Sequence, residues 1–162
     1  MAILRRCVPG AAIAVCALAL AHAAIAEPSD AVYFNPGDVK WGPAPPTLPN
    51  GAKVVVLYGD PARTGPFVLR MMAPPGYRVG PHWHSQAEHL TVISGALYVG
   101  DGDKFNALRT HALKVGGYHY LPAKAHHYAL TKTPTVVQIS GEGPFDINYV
   151  AEQDDPQKAA RK

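Results

Sequence analysis

Residues 76–95 read GYRVGPHWHSQAEHLTVISG, and this stretch decides the fold that the sequence predicts. His82 and His84 are two residues apart, so on an extended strand both imidazoles project from one face and can converge on one cation. Glu88 adds a carboxylate oxygen. Two imidazoles and a carboxylate suit Fe, Mn, Ni, Zn or Cu without choosing among them. The stretch therefore predicts a metal site whose fourth ligand lies further along the chain.

The first 26 residues have the composition of a cleavable export signal. Arg5 and Arg6 precede an alanine-rich apolar run, and the segment closes with Ala-Ile-Ala at 24–26. This run is too short for a membrane span, and no later segment approaches about 18 consecutive apolar residues. We therefore expect a protein without a membrane span that is periplasmic or secreted after removal of residues 1–26. The arginine pair leaves twin-arginine export open beside the general route.

Cysteine content and charge exclude further classes of protein. Both cysteines, Cys7 and Cys16, lie in the expected signal, so zinc-thiolate and cysteine-nucleophile sites are excluded from the mature chain. Without Arg5 and Arg6, 13 of the 15 Lys and Arg residues remain against 12 Asp and Glu residues. This near balance gives no support to nucleic-acid binding.

Composition divides the mature chain into three parts. Residues 27–52 carry six prolines, which predicts an extended arm, and we expect Trp41, Tyr33 and Phe34 of this arm to dock on the body. Residues 53–150 are predicted to form the folded domain. Residues 151–162 are polar and carry both charge signs, which predicts a flexible tail.

Short runs rich in β-branched and aromatic residues fill the predicted domain and are mostly separated by glycine, proline or aspartate. Such runs predict an all-β sandwich or barrel with little helix. The predicted strands are 53–58, 67–73, 89–93, 96–99, 111–115, 118–121, 127–131, 135–140 and 145–150. Ser94 and Gly95 separate two of these runs, which predicts a tight hairpin between them.

A second histidine-bearing segment, residues 116–128, reads GGYHYLPAKAHHY. With this segment the chain resembles the cupin superfamily. The first stretch fits the cupin motif G(x)5HxH(x)3,4E(x)6G at every fixed position. The second is similar to the motif G(x)5PxG(x)2H(x)3N, with Gly116, Pro122 and His127 in register. Lys124 stands where the family has glycine, and Thr131 stands where it has asparagine.

The resemblance implies a single-domain cupin, a double-stranded β-helix of the jelly-roll type, and the likeness extends to small exported members. It also implies that His82, His84, Glu88 and His127 bind one divalent transition-metal ion per chain. His126 and His127 face opposite ways on a strand, and the motif register selects His127. Left unsatisfied in a barrel, each group would cost about 1–3 kcal/mol, so a bound ion is favoured over a metal-free polar network.

Several further side chains are candidates for contacts with a substrate. Gln86 could hydrogen-bond a metal-bound water, Tyr128 could supply a proton, and Arg78 could pair with an anionic substrate. His119 and His111 could contact a substrate, although such half-exposed histidines are more often without a role in catalysis. Beyond the ligands, the catalytic groups are not identified by any motif.

Four protein ligands leave one or two coordination positions open, as an oxygen-activating or Lewis-acid catalyst requires. The resemblance therefore implies a metal-dependent, dioxygenase-like enzyme that acts on a small organic molecule, with decarboxylation or isomerisation as further options. The alternative is a non-enzymatic periplasmic protein that binds a metal or a small ligand. Small jelly rolls have exposed sheet edges, and this predicts a homodimer.

Overall fold

The structure is a computed structural model that describes residues 31–159, so the expected export signal lies outside the described residues. Within that range the strands are β1 (Gly42–Pro43), β2 (Lys53–Tyr58), β3 (Gly65–Ala73), β4 (Arg78–Trp83), β5 (Glu88–Ser94), β6 (Ala96–Asp101), β7 (His111–Lys114), β8 (Tyr118–Leu121), β9 (His127–Thr131), β10 (Thr135–Gly143) and β11 (Asn148–Tyr149). Helix in this range is confined to two 3-10 turns, Pro36–Asp38 and Glu152–Asp154, and to α1 (Pro156–Ala159). None of the helices between residues 31 and 159 has the length and apolar character needed to cross a membrane.

The strands form two antiparallel sheets. One sheet has the order β1-β2-β3-β10-β5-β8, and the other has the order β11-β4-β9-β6-β7. Consecutive strands repeatedly alternate between the sheets, as a jelly roll requires. The predicted all-β, jelly-roll architecture with little helix is confirmed.

The sheets enclose a core built from alternating residues of each strand. β3 shows the period of two most clearly, because Phe67, Leu69, Met71 and Ala73 are buried while the residues between them are partly exposed. Across the sheet, β10 contributes the buried positions in the same way. One face of each sheet thus points inward, and this fixes the strand register.

The turn at Ser94 and Gly95 is not the predicted hairpin. β5 and β6 flank it, but β5 pairs with β10 and β8, whereas β6 pairs with β7 and β9. Gly95 has φ +75°, and a Cβ there would lie 2.3 Å from the carbonyl oxygen of Pro134. The turn is therefore a corner that carries the chain from one sheet to the other, and glycine permits the close approach.

Strand β4 lies outside the strands predicted from composition. Glycine and proline at positions 80 and 81 interrupt its β-branched pattern, and the register with β9 is irregular between Val79 and His82. Pairing on both sides, with β9 and β11, holds this segment extended in spite of its composition.

The proline-rich arm joins the first sheet at its edge. Gly42 of β1 lies opposite Val54 of β2, and Trp41 beside it is half-buried. The expected docking of Tyr33 and Phe34 is wrong, because the arm reaches the sheet only at β1, downstream of them. Their side chains are 87% and 46% exposed.

Candidate metal centre

Three histidine side chains meet between the two sheets. His82 lies in β4, His84 follows the end of that strand, and His127 begins β9. Because β4 and β9 are neighbours, His82 stands directly opposite His127 in the register. One ring nitrogen from each histidine lies within 4.8 Å of the other two, and all three side chains are buried. Among residues 31–159 these three could hold one metal ion.

Main-chain carbonyl groups orient all three rings. The Nδ1 atom of His82 lies 2.7 Å from the carbonyl oxygen of Gly80, and that of His127 lies 3.3 Å from the oxygen of Ala125. The Nδ1 atom of His84 lies 2.5 Å from the oxygen of Asp146. A carbonyl oxygen can only accept, so each Nδ1 carries the proton and each Nε2 of the neutral ring keeps a free lone pair. Metal-ligating histidines are typically oriented in this way.

The Nε2 atom of His84 has no hydrogen-bond partner although it is buried. An unpaired buried nitrogen costs about 1–3 kcal/mol, and native proteins rarely leave one without a reason. A divalent transition metal between the rings would satisfy this atom together with its two neighbours. The donor set and the orphaned nitrogen therefore fit a metal ion.

Burial keeps the two facing histidines neutral. It lowers the pKa of His82 to about 3, with a further lowering by the neighbouring His84. It lowers the pKa of His127 to about 2, again reinforced by the adjacent histidines. Neutral imidazole is the form that donates a lone pair to a metal, so these rings need not lose protons to bind one near neutral pH.

Glu88, the first residue of β5, stands beside two of the three rings. One carboxylate oxygen lies 3.8 Å from Nε2 of His84 and 3.8 Å from Nε2 of His127. Burial raises the pKa of Glu88, and the nearby histidines only partly oppose this. A divalent cation between these groups would favour the charged carboxylate again. The structure thus brings together all four residues that the motifs select, with Glu88 beside the compact group of three histidines rather than within it.

His126 and His127 face opposite ways, as expected for adjacent strand residues. The Nδ1 atom of His126 bonds the carboxylate of Asp103, and its ring stacks on Trp83. His127 points inward to the other histidines.

The two departures from the second motif each have a structural role. Lys124 adopts φ +65°, the left-handed conformation that glycine takes freely, and its main-chain N–H donates to the carbonyl oxygen of His84 across 2.8 Å. The hydroxyl of Thr131 donates to the carbonyl oxygen of Pro74 at 2.6 Å and accepts the N–H of Tyr77 at 3.2 Å. Both residues connect the two motif segments.

The histidines open onto a cavity of about 530 Å³ between the sheets. Its polar lining groups are His82, His84, Glu88, His119, His127 and Thr47. Its apolar lining residues are Pro43, Pro45, Leu48, Val54, Val56, Pro61, Ala62, Leu69, Met71, Val79, Leu90, Leu97, Val99, Ala129, Ile139, Phe145 and Ile147. The site is therefore a small polar cluster at the wall of a largely apolar chamber.

Of the two histidines considered as possible substrate contacts, the structure places His119 in this chamber. His119 lies on β8 opposite Leu90 and is half-buried. His111 is exposed on β7, the last strand of its sheet, and does not line the chamber. The sequence did not predict that residues of the proline-rich arm would line the chamber, because no local motif indicates which strands the arm will cover.

The three other candidates are not brought to the site. Tyr128 points away from the chamber, and its hydroxyl donates to the carbonyl oxygens of Asn106 and Arg109. Arg78 is exposed, with its guanidinium 3.7 Å from the centre of the Phe105 ring. Gln86 lies in the turn between β4 and β5 and does not line the chamber. Tyr128 points away from the chamber because it follows His127 on the strand, and adjacent strand residues face opposite sides of the sheet.

The fold and the three-histidine site define a cupin that can hold a metal ion. Within the cupins, the chain belongs to the family of ChrR cupin-like domains, whose model matches residues 29–146. The resemblance inferred from the two motifs is confirmed. No curated protein sequence matches the chain significantly.

Solved structures share the fold at low sequence identity. The polyketide cyclase RemF from Streptomyces resistomycificus superposes with a TM-score of 0.65 at 16% identity, over 80% of this chain and 92% of that one. A putative acetylacetone dioxygenase from Methylibium petroleiphilum gives 0.60 at 19% identity, over 85% and 96%. A variant of salicylate 1,2-dioxygenase from Pseudoaminobacter salicylatoxidans gives 0.50 at 14% identity, over 60% and 30%.

Proposed function

We propose that this chain is a metal-dependent enzyme, dioxygenase-like in its chemistry, that acts on a small organic molecule. The observation that carries the proposal is the convergence of three buried histidine rings, each held at Nδ1 by a main-chain carbonyl, at the wall of a largely apolar chamber. His82, His84 and His127 would hold the ion, and Glu88 would supply the fourth ligand.

A redox-active metal held by these residues would supply oxygen-activating chemistry, and a redox-inert metal would supply Lewis acidity. The donor set of nitrogen and oxygen suits Fe, Mn, Ni, Zn or Cu. The protein's own part is to fix the three rings by main-chain carbonyls and to surround the site with a largely apolar wall. Glu88 would balance part of the charge of the cation inside this wall.

The chamber supports a small, mainly apolar substrate that carries one polar group toward the histidines. Of the similar structures, two are named as dioxygenases of small carbonyl or phenolic compounds and one as a polyketide cyclase. These names favour an enzyme of this general kind, and the cyclase keeps a reaction without oxygen open.

A non-enzymatic binding protein is the second candidate. It is favoured by the scarcity of acid and base groups in the described lining, where His119 is the one titratable side chain besides the four proposed ligands. A protein that stores or senses a metal needs no acid or base group. Many metal-dependent oxidations also proceed without one, so this observation does not exclude the enzyme.

The nature of the bound metal and the consumption of oxygen separate these candidates. The protein would be purified aerobically without added metal, its metal identified, and oxygen uptake measured with a panel of diketones, phenols, thiols and organic acids. Iron, manganese or copper together with oxygen uptake on one class supports the enzyme. If no compound is converted under any metal loading, the binding protein is the better account.

We also propose a periplasmic or secreted location and a homodimer. The location is supported by the composition of residues 1–26. The dimer is supported by β8, an edge strand whose Tyr118 and Tyr120 side chains are 54% and 52% exposed. Cell fractionation and light scattering at micromolar concentration test the two: cytoplasmic retention, or a monomeric mass, would contradict them.

A further inference from the structure

The proline-rich arm forms one wall of the metal chamber. Pro43, Pro45, Thr47 and Leu48 line the chamber, and three of these four side chains are apolar. Leu48 is half-buried and packs against the hydrophobic core between the sheets. The arm thus contributes surface to the same space onto which the three histidines open.

Two tyrosines fix this wall in place. The hydroxyl of Tyr149 donates to the carbonyl oxygen of Thr47 at 2.8 Å, and the hydroxyl of Tyr77 donates to that of Pro49 at 2.9 Å. Burial raises the pKa of both tyrosines, so both stay protonated and able to donate. Pairing of β1 with β2 adds a third attachment at the start of the wall.

One of these anchors is adjacent to the metal centre. Tyr149 lies opposite His82 in the pairing of β11 with β4, and their ring centres are 5.9 Å apart. Tyr149 therefore links the arm to the strand that carries His82 through one side chain. A ligand held at the histidines would share the chamber with this wall.

We propose that residues 43–48 determine which molecules the site accepts. The accepted class carries an oxygen-donor head, which would bind the metal held by the three histidines, and an apolar body that packs against Pro45 and Leu48. This inference rests on the proposed function, because the head group needs the metal.

Straight-chain hydroxamic acids, from acetohydroxamic to octanohydroxamic acid, keep the same head group and vary the length of the apolar body. They therefore separate the contributions of the two parts to affinity. They would be titrated calorimetrically into the metal-loaded full chain, into Leu48→Ala, and into Val32→Ala as a control at an exposed arm position outside the chamber. Each methylene that the chamber buries should improve affinity about fourfold. Leu48→Ala should weaken octanohydroxamic acid about tenfold and leave acetohydroxamic acid within about twofold.

Leu48→Met, which nearly preserves the side-chain volume, should restore most of the chain-length effect. Cooperative thermal unfolding of all three variants above the assay temperature would show that the fold is intact, and Leu48→Ala should melt lowest because Leu48 packs against the core. If metal and acetohydroxamic acid bind but affinity is independent of chain length, or Leu48→Ala weakens both ligands equally, the inference is wrong and the proposed function stands. If the chain holds no metal and none of the acids binds, both are wrong.

Discussion

The Nδ1–H group of His84 donates a hydrogen bond to the main-chain carbonyl oxygen of Asp146, 2.5 Å away. The side chain of Asp146 is itself held by the main-chain N–H and hydroxyl of Ser85, at 2.7 and 2.6 Å, and by the amide of Asn148 at 2.8 Å. Burial works to raise the pKa of the Asp146 carboxyl, but these hydrogen bonds outweigh it and leave the pKa below its usual value. A charged carboxylate therefore fixes the loop that orients His84.

Replacing Asp146 should weaken metal binding without touching a ligand. Asp146→Ala removes three hydrogen bonds from the loop and frees the carbonyl that orients His84, so affinity should fall about 10- to 100-fold. Competition with a chromophoric chelator measures this. Asp103→Ala, which removes the partner of the outward-facing His126, is the matched control and should leave affinity unchanged. Equal affinities for the two variants would refute a positioning role for Asp146.

Thr131 should contribute to stability through its hydroxyl. Thr131→Val keeps the shape but leaves the N–H of Tyr77 and an oxygen of Pro74 without this partner, so the free energy of unfolding should fall by about 1–3 kcal/mol. Urea denaturation measures the change. Thr91→Val, at a half-buried position on β5, should change it by less than about 0.5 kcal/mol. A loss of stability in Thr91→Val but not in Thr131→Val would contradict the stabilising role of the Thr131 hydroxyl.

Replacing Lys124 by glycine should not reduce the stability of the protein. At φ +65° a lysine pays about 1–2 kcal/mol that glycine does not, while glycine adds entropy to the unfolded chain. Lys124→Gly should therefore be neutral or stabilise by up to about 1 kcal/mol. Lys104→Gly, at a position without positive φ, should instead destabilise by about 0.5–1 kcal/mol. Destabilisation of similar size in both variants would show that the left-handed conformation is not strained.

Alkaline pH should destabilise the fold through Tyr77. Burial raises the pKa of Tyr77, so the unfolded chain loses its phenolic proton at lower pH than the folded protein does. Stability from this group is present below pH about 10 and is lost as the pH rises further. The free energy of unfolding should be measured from pH 8 to pH 11, a range of about one to two units around the ordinary tyrosine pKa. It should decline less with pH in Tyr77→Phe than in the wild-type protein. An identical decline in both proteins would contradict the burial effect.

The site was more predictable from the sequence than the path of the chain around it. The pairing of His82 with His84 follows from their spacing of two residues, whereas His127 follows from the resemblance of the second segment to the cupin motif, whose register selects it over His126. The corner at Gly95 was predicted as a hairpin, because a tight turn between two apolar runs looks the same locally whether the strands pair or separate into two sheets. β4 and the arm residues of the chamber depend on pairing with distant strands, and no local pattern carries that information.

The metal content of the purified protein tests the central claim most directly. Elemental analysis of protein prepared without chelators should find about one equivalent of a divalent transition metal per chain. His127→Ala should lose most of it, while His126→Ala, at the neighbouring outward-facing position, should keep it. Less than about a tenth of an equivalent in the wild-type protein, or full retention in His127→Ala, would contradict the metal centre described for these histidines.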